Sequence, residues 1–430
     1  MPLWRTLLAG ALAAGAATAL IAAPGAIQAP AAVPTEPAAA TAAPPLDTVA
    51  FDKRRLGQKF LLQVSYEHRS GSWQDFMTSR SRIVTFERYA NTVRMVEDAR
   101  DPGASAKPLA TIPIDGERAE ELLLDFNTGF DRISNQEDRI GEDYYGRMEP
   151  SEDEFLRLHM QEIVRVLRLE SMLVLEQHAL VDNEPIAVYY YLSPYRPNTQ
   201  FASFELRDLH HFGFYETYPQ QVSGRTVLYA TKFDSRKPII FALSNEIPAQ
   251  YHDAVREGVL YWNRAFGREL IRVIDAPRAV SAPSARYNVV QWVEDRSFAS
   301  TSHIQADPLT GEILHAHIFL DARDFDGHDL ATQNNHLRYI VAHEVGHALG
   351  LRHNFAKGPT TTVMNYFDFD ASVALGRQIR SSPQGFEYDR KVMRHVYLGE
   401  PLDLASLPRF CTDNQPNCGP FPVGAHHGGR

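Results

Sequence analysis

The stretch His343–His353, HEVGHALGLRH, constrains this chain more than any other feature, because three histidines, a glutamate and a glycine stand at fixed spacings. On a helix, residues i and i+4 lie one above the other, so His343 and His347 point toward one spot. His353 lies too far along for a continuing helix to direct it there. Gly350 resolves this difficulty, since glycine adopts the left-handed conformation that ends a helix and turns the chain.

The three imidazoles predict a metal site, because neutral histidine is a standard zinc ligand. Three protein ligands leave a fourth position open for water, which is typical of catalytic zinc and not of structural zinc. Glu344 flanks that position, where a general base accepts a proton from water. The sequence therefore predicts a helix from about Asn335 to Leu349, one Zn²⁺ bound by His343, His347 and His353, and Glu344 as the base.

The motif resembles a known family. HEVGHALGLRH matches HExxHxxGxxH, the signature of the metzincin zinc endopeptidases, and residues 362–366, TVMNY, resemble their Met-turn. The resemblance implies that Met364 forms the floor of the site and that Tyr366 stabilises the tetrahedral intermediate. Further segments resemble secreted bacterial zinc-dependent metalloproteases with an amino-terminal domain of unknown function: LYWNRAFG (Leu260–Gly267), ARYNVVQWV (Ala285–Val293) and DPLTGEILHAHI (Asp307–Ile318).

The amino terminus predicts export. Arg5 precedes the uncharged run Leu7–Ala23, and Ala29-Pro30-Ala31 fits a cleavage site, so residues 1–31 are predicted to be a signal peptide. An uncleaved anchor helix is the alternative. Residues 32–47 form an Ala/Pro-rich linker. We expect a periplasmic or extracellular protein, in which Cys411 and Cys418 pair as a disulfide; two free thiols are the alternative.

The 430 residues predict two domains, and the fold class is α+β. Residues 48–236 are expected to form a mainly β or α+β domain of uncertain role, with a short helix at Glu117–Phe126. Residues 237–430 are expected to form the catalytic domain after the polar boundary at Asp234–Pro238. The resemblance implies a metzincin-like mixed sheet with an antiparallel edge strand, an active-site helix and the Met-turn.

The resemblance also implies where a substrate binds. In metzincins the strand before the active-site helix is the sheet edge and pairs with an extended peptide, and here that strand is Ile313–Leu320. His315 and His317 on it are interpreted as solvent-facing, with extra metal ligation as the alternative. The loop Asp321–Asp329 carries clustered carboxylates without the EF-hand pattern, so a solvated loop is favoured over a calcium site.

The predicted function is secreted zinc-dependent peptide-bond hydrolysis. A catalytically silent zinc-binding or peptide-binding protein is the main alternative, and zinc-assisted hydrolysis of another substrate class stays open. The net charge of −10 disfavours nucleic acid and anionic membranes as partners. No stable membrane insertion is expected after signal removal, and the sequence does not indicate an oligomeric state.

Overall fold

The computed structural model describes residues 48–70, 73–98, 108–134, 155–169, 172–207, 211, 213–276, 287–293, 300–321, 327–355, 362–382, 384–407 and 410–412. The predicted signal peptide (1–31), the predicted linker (32–47) and Cys418 lie outside these ranges. Export and the disulfide between Cys411 and Cys418 therefore stay predictions. Among the described residues, no helix is long and apolar enough to cross a membrane.

The amino-terminal part of the chain is built mostly of strands. They are β1 (Val49–Asp52), β2 (Lys59–Ser70), β3 (Trp73–Tyr89), β4 (Thr92–Glu97), β5 (Ala110–Glu117), β6 (Glu121–Leu124), β7 (Arg132–Ser134), β8 (Phe155–Arg157), β9 (His159–Arg168), β10 (Leu173–Val181) and β11 (Glu184–Pro194), with helix α1 (Phe126–Gly129). Nine of them form one sheet in the order β1-β6-β5-β4-β3-β2-β11-β10-β9, and every neighbouring pair is antiparallel. We refer to it as the amino-terminal sheet.

A side-chain hydrogen bond links the two outer strands of the amino-terminal sheet, and helix α1 contacts β9. The guanidinium of Arg168 at the end of β9 donates to the Ala50 carbonyl of β1 at 2.7 Å. The backbone amide of Ile163 on β9 donates to the Asn127 side chain of α1 at 2.6 Å. Alternate side chains along the strands fill the interior with an apolar core, as the two-residue period of a strand requires.

The helix predicted at Glu117–Phe126 is wrong. Residues Glu121–Leu124 form strand β6, in which Leu122 and Leu124 are buried, and the helix α1 begins only at Phe126. The three leucines lack the polar positions that would identify a two-residue period, so the pattern suits a helix equally well. Pairing with β1, which is distant in sequence, decides the outcome.

The carboxy-terminal part has helices on one face of a five-stranded sheet. Its strands are β16 (Ile239–Leu243), β17 (Ile271–Asp275), β18 (Asn288–Val293), β19 (Thr301–Ala306) and β20 (Ile313–Asp321), and its helices are α2 (His252–Phe266), α3 (Leu330–Ala348), α4 (Phe369–Ser381) and α5 (Glu387–Leu398). Short 3₁₀ turns occupy Lys53–Arg55, Ala249–Tyr251 and Leu404–Ser406. The strand order is β17-β16-β18-β20-β19, parallel except for the antiparallel pair β19 and β20. The mixed α+β class and the antiparallel strand agree with the prediction.

The edge strand, however, is not Ile313–Leu320. That segment is β20, which lies between β18 and β19, and the terminal strand of the described sheet is β19. Strand β19 was not predicted, because its residues, TSHIQA, are half polar and adjoin a turn at Asp307–Gly311 that joins the two strands as a hairpin.

The solvent-facing interpretation of the two β20 histidines is also wrong for His317, which is 5% exposed and stacks on Phe319 at a ring-centroid distance of 4.3 Å. Gln305 of β19 lies on the same sheet face, two residues from the direct partner of His317. Its side-chain amide donates to the Val64 carbonyl of β2 at 3.3 Å. The amino-terminal sheet therefore covers this face, which sequence patterning within one strand does not reveal.

The segment between the two sheets carries four short strands: β12 (Phe204–Glu205), β13 (Gln220–Val222), β14 (Arg225–Val227) and β15 (Tyr229–Ala230). Leu206, Phe214 and Tyr215 belong to the same hydrophobic core as α2 and α3. The core of the amino-terminal sheet ends at Leu192. The core of the carboxy-terminal part therefore already includes residues that precede the sequence-based boundary at residue 236. That boundary stays a prediction.

Candidate metal centre

Helix α3 places the first two histidines. It begins after Asp329, whose carboxylate accepts hydrogen bonds from the Ala331 amide at 3.0 Å and the Thr332 amide at 3.1 Å and so satisfies free donors of the first turn. The helix runs to Ala348 without a break, so that His343 and His347 lie one turn apart on a buried face. Asp329, part of the loop weighed as a calcium site, therefore acts as a helix cap, whereas residues 322–326 of that loop lie outside the described ranges.

Gly350 turns the chain just after the end of helix α3, as predicted. Its φ of +97° lies in the region that favours glycine, and a Cβ atom there would lie 2.1 Å from the Thr231 carbonyl oxygen. Leu351, on the far side of the turn, bonds back to the helix through its amide and the Gly346 carbonyl at 3.0 Å. The chain thereby reverses and brings His353 beside His347.

The three imidazoles converge on one point. The Nε2 atoms are separated by 3.1 Å (His343 to His347), 3.2 Å (His343 to His353) and 3.0 Å (His347 to His353). Three nitrogens that each lie about 2.0–2.1 Å from one ion at tetrahedral angles are about 3.3 Å apart, so the arrangement fits a zinc ion. Within the described ranges, these three histidines are the one cluster of His, Cys, Asp or Glu side chains in which at least three ligand atoms lie close enough to share an ion.

The second ring nitrogens fix the tautomers. Nδ1 of His343 lies 2.8 Å from the Val363 carbonyl oxygen, and Nδ1 of His347 lies 2.8 Å from the Leu351 carbonyl oxygen. A carbonyl oxygen only accepts, so each Nδ1 carries the proton and donates it. Each Nε2 then presents its lone pair, which is the state that a metal ligand needs.

Residues 362–366 form a turn beneath the histidines, and the first three of these residues are buried. Met364 is fully buried, and its carbonyl accepts a hydrogen bond from the Asn354 amide, next to the third histidine, at 2.7 Å. The Thr362 hydroxyl accepts from the Met364 amide at 2.9 Å and closes the turn. The structure therefore brings Met364 to the floor of the site, where the resemblance put it.

Asp389 on α5 anchors this turn, and sequence analysis did not identify it. Its Oδ2 accepts from the Val363 amide at 3.0 Å and from the Tyr261 hydroxyl at 2.6 Å, and its Oδ1 accepts from the Thr362 hydroxyl. Burial raises the pKa of Asp389 to about 6. No local signal marks this aspartate, because its partners come from α2 and the Met-turn.

Tyr366 and Glu344 flank the histidines. The Tyr366 ring lies 4.3 Å from the His353 ring and 5.6 Å from the His343 ring, between centroids, and the residue is 42% exposed. Glu344 is buried beside Tyr339, whose pKa is raised by burial and then by the Glu344 carboxylate. The site thus combines an imidazole triad, a carboxylate and an exposed phenol.

The terminal strand β19 is covered in this structure. Each of its residues Ser302–Ala306 is buried, although the strand pairs with a described neighbour on one side only. Strand β3 of the amino-terminal sheet lies against it. Among the described residues, β19 is therefore not an open sheet edge.

The model of the Met-zincin family matches residues 326–382, which include α3, the third histidine, the Met-turn and α4. No curated protein and no solved structure matches the chain. The match covers a minor part of the sequence. Together with the histidine triad, it indicates a zinc metallopeptidase-like site in this part of the chain.

Proposed function

We propose that the chain is a zinc-dependent endopeptidase in which Glu344 is the general base. The proposal depends on one observation: the Nε2 atoms of His343, His347 and His353 lie within 3.0–3.2 Å of one another. Glu344 lies on the helix that carries the first two histidines. The family match over this segment supports the same class of reaction.

Each group of the site has its own role in the proposed hydrolysis. A zinc ion held by the imidazoles would supply Lewis-acid polarisation of the scissile carbonyl and would acidify the attacking water. Glu344 accepts the proton of that water and delivers it to the leaving amine. Tyr366 is an exposed residue, and its hydroxyl donates a hydrogen bond to the oxyanion that develops on the substrate.

The substrate in this proposal is an extended peptide that pairs with the terminal strand β19, which replaces Ile313–Leu320 in that role. Because Ser302–Ala306 are buried, the part of the chain that covers β19 must move before a peptide can pair with it. A protein substrate with an unfolded segment suits this pairing, since an extended chain offers free main-chain groups on both sides.

A zinc-binding or peptide-binding protein without turnover is the second candidate, and the covered strand β19 favours it. Glu344 argues against it, because a pure binder has no use for a base beside its metal. Zinc content does not separate the two candidates, whereas turnover does.

The proposal is tested with purified full-length protein, zinc and unfolded casein. We expect cleavage that a chelator stops, and we expect Glu344→Gln to retain zinc but to lose activity by about two to four orders of magnitude. Glu269→Gln, at an exposed ion pair with Arg272, is the matched control and should cleave as wild type does. Equal rates for Glu344→Gln and wild type would reject the assignment, and a zinc-loaded wild type without turnover would favour the silent binder.

A further inference from the structure

A segment outside the matched region holds the turn that carries the third histidine. The Tyr215 amide donates to the Gly350 carbonyl at 2.7 Å, and the Arg352 amide donates to the Gly213 carbonyl at 3.3 Å. Phe214 and Leu351 form the antiparallel bridge between these bonds. The chain between Gly350 and His353 is therefore paired with residues 213–215.

A second strand supports this segment from behind. The Thr231 amide donates to the Tyr215 carbonyl at 2.7 Å, and the Thr217 amide donates to the Tyr229 carbonyl at 2.9 Å. The Thr231 carbonyl also fills the space beside Gly350, where a Cβ atom would lie 2.1 Å away. Residues 213–217 and 229–231 thus form a backing for the turn.

Charged groups tie the same segment to the residue before the third histidine. The guanidinium of Arg352 is buried and donates from Nε to the Phe214 carbonyl at 3.1 Å. Its Nη2 lies 2.9 Å from Oε2 of Glu216. A buried guanidinium with a carboxylate partner resists displacement, because separating the pair leaves a charge without solvent or partner.

The hydroxyl of Tyr215 reaches a metal-binding histidine directly. It lies 3.1 Å from Nδ1 of His347, on the opposite side of the ring from the atom that faces the other histidines. Tyr215 is fully buried, so water does not compete for this contact. The His347 Nδ1 proton already points to the Leu351 carbonyl at 2.8 Å, and the Tyr215 oxygen offers the same proton a second acceptor.

We propose that Tyr215 is a positioning residue for the metal centre: as a second acceptor beside the Leu351 carbonyl, its hydroxyl holds the His347 ring in the orientation that leaves Nε2 free to bind the ion. The proposal rests on the metal site under the proposed function. If Tyr215 instead donated to Nδ1, the proton of His347 would lie on Nε2 and block metal binding. Residues 213–217 therefore belong to the metal centre, although they lie before residue 237.

The test measures zinc affinity of the full-length protein by competition with a chromogenic chelator. Tyr215→Phe keeps the ring and removes the hydroxyl, and we expect it to weaken zinc binding about tenfold, as loss of a partner behind a metal ligand does. Tyr397→Phe is the matched control, since its buried hydroxyl donates to the Leu349 carbonyl at 2.7 Å near the same helix end without touching His347. We expect the control to bind zinc as wild type does.

Two results would overturn the proposal: an affinity of Tyr215→Phe within about twofold of wild type, or an equal loss in Tyr215→Phe and Tyr397→Phe. Should Tyr215→Phe not fold, Arg352→Lys tests how firmly the segment that carries Tyr215 is held against the turn, because it removes the bond from Nε of Arg352 to the Phe214 carbonyl and keeps a cation beside Glu216. Unchanged zinc affinity in folded Arg352→Lys would then count against the proposal. Zinc binding is measured without substrate, so this outcome is independent of the Glu344→Gln result on peptidase activity.

Discussion

Met364 packs against the backbone of Gly346 so closely that a Cβ atom on Gly346 would lie 2.2 Å from the methionine sulfur. The same Cβ would lie 2.7 Å from Cζ2 of Trp262, which approaches from α2. Gly346 lies on the helical turn between His343 and His347. The floor of the metal site and the helix that carries two of its ligands therefore meet at one contact without room for a side chain.

We expect Gly346→Ala to weaken both the fold and the metal site. The added methyl group must displace Met364 or α3, and overpacking of this kind costs about 1–3 kcal/mol. Thermal unfolding should show a lower melting temperature, and chelator competition should show weaker zinc binding. Gly399→Ala is the control, since a Cβ atom there meets nothing within 4 Å and its cost comes from a φ of +70° alone. Unchanged zinc affinity in Gly346→Ala would contradict the prediction.

Asp389→Asn should loosen the Met-turn. The carboxylate accepts hydrogen bonds on both oxygens, from the Tyr261 hydroxyl and the Val363 amide on Oδ2 and from the Thr362 hydroxyl on Oδ1. An asparagine has one carbonyl oxygen, so its amide nitrogen must face one of these donors, at a cost of about 1–3 kcal/mol. We expect a lower melting temperature and weaker zinc binding.

The matched control for Asp389→Asn is Asp275→Asn, at a carboxylate that is exposed and pairs with Arg256 on the surface. Its melting temperature should stay close to that of wild type, because exposed ion pairs contribute little. If Asp389→Asn melts like the control and binds zinc normally, the turn does not depend on this carboxylate.

The metal site was largely predictable from sequence because its information is local. The spacing of His343 and His347 on one helix, and the turn at Gly350, determine where the imidazoles go before any distant contact forms. The convergence of the three Nε2 atoms and the positive φ of Gly350 agree with that prediction. The Met-turn could be found by its resemblance alone, since a methionine and a tyrosine in a loop carry no local signal of their own.

The remaining features depend on contacts between distant parts of the chain. Asp389 meets the Met-turn from α5, and Tyr215 meets His347 from a segment assigned by sequence to the amino-terminal region. The helix predicted at Glu117–Phe126 failed because a strand partner, β1, decided between two patterns that fit equally well. The order of β19 and β20 was missed for the same reason, since strand order is set by pairing and not by the strands' own residues.

The face of the five-stranded sheet that the amino-terminal sheet covers carries two buried histidines, although a covered face is expected to be apolar. His317 on β20 lies directly opposite His303 on the neighbouring strand β19. Both rings approach Phe319, at centroid distances of 4.3 Å and 5.9 Å. Gln305 on this face donates to the Val64 carbonyl of β2, so the amino-terminal sheet is the element that shields them from water.

Acid should therefore loosen the packing of the amino-terminal sheet. Burial lowers the pKa of His317 from 6.5 to about 3. The folded state holds this ring neutral, so the contribution of His317 to stability is fully present above pH 6.5 and is lost as the pH falls toward 3. At about pH 5 the loss amounts to about 2 kcal/mol, and the melting temperature should drop relative to about pH 7.5. His317→Gln should reduce this drop, whereas His178→Gln, at an exposed histidine of β10, should not. An identical drop in wild type and His317→Gln would show that other groups govern the acid response.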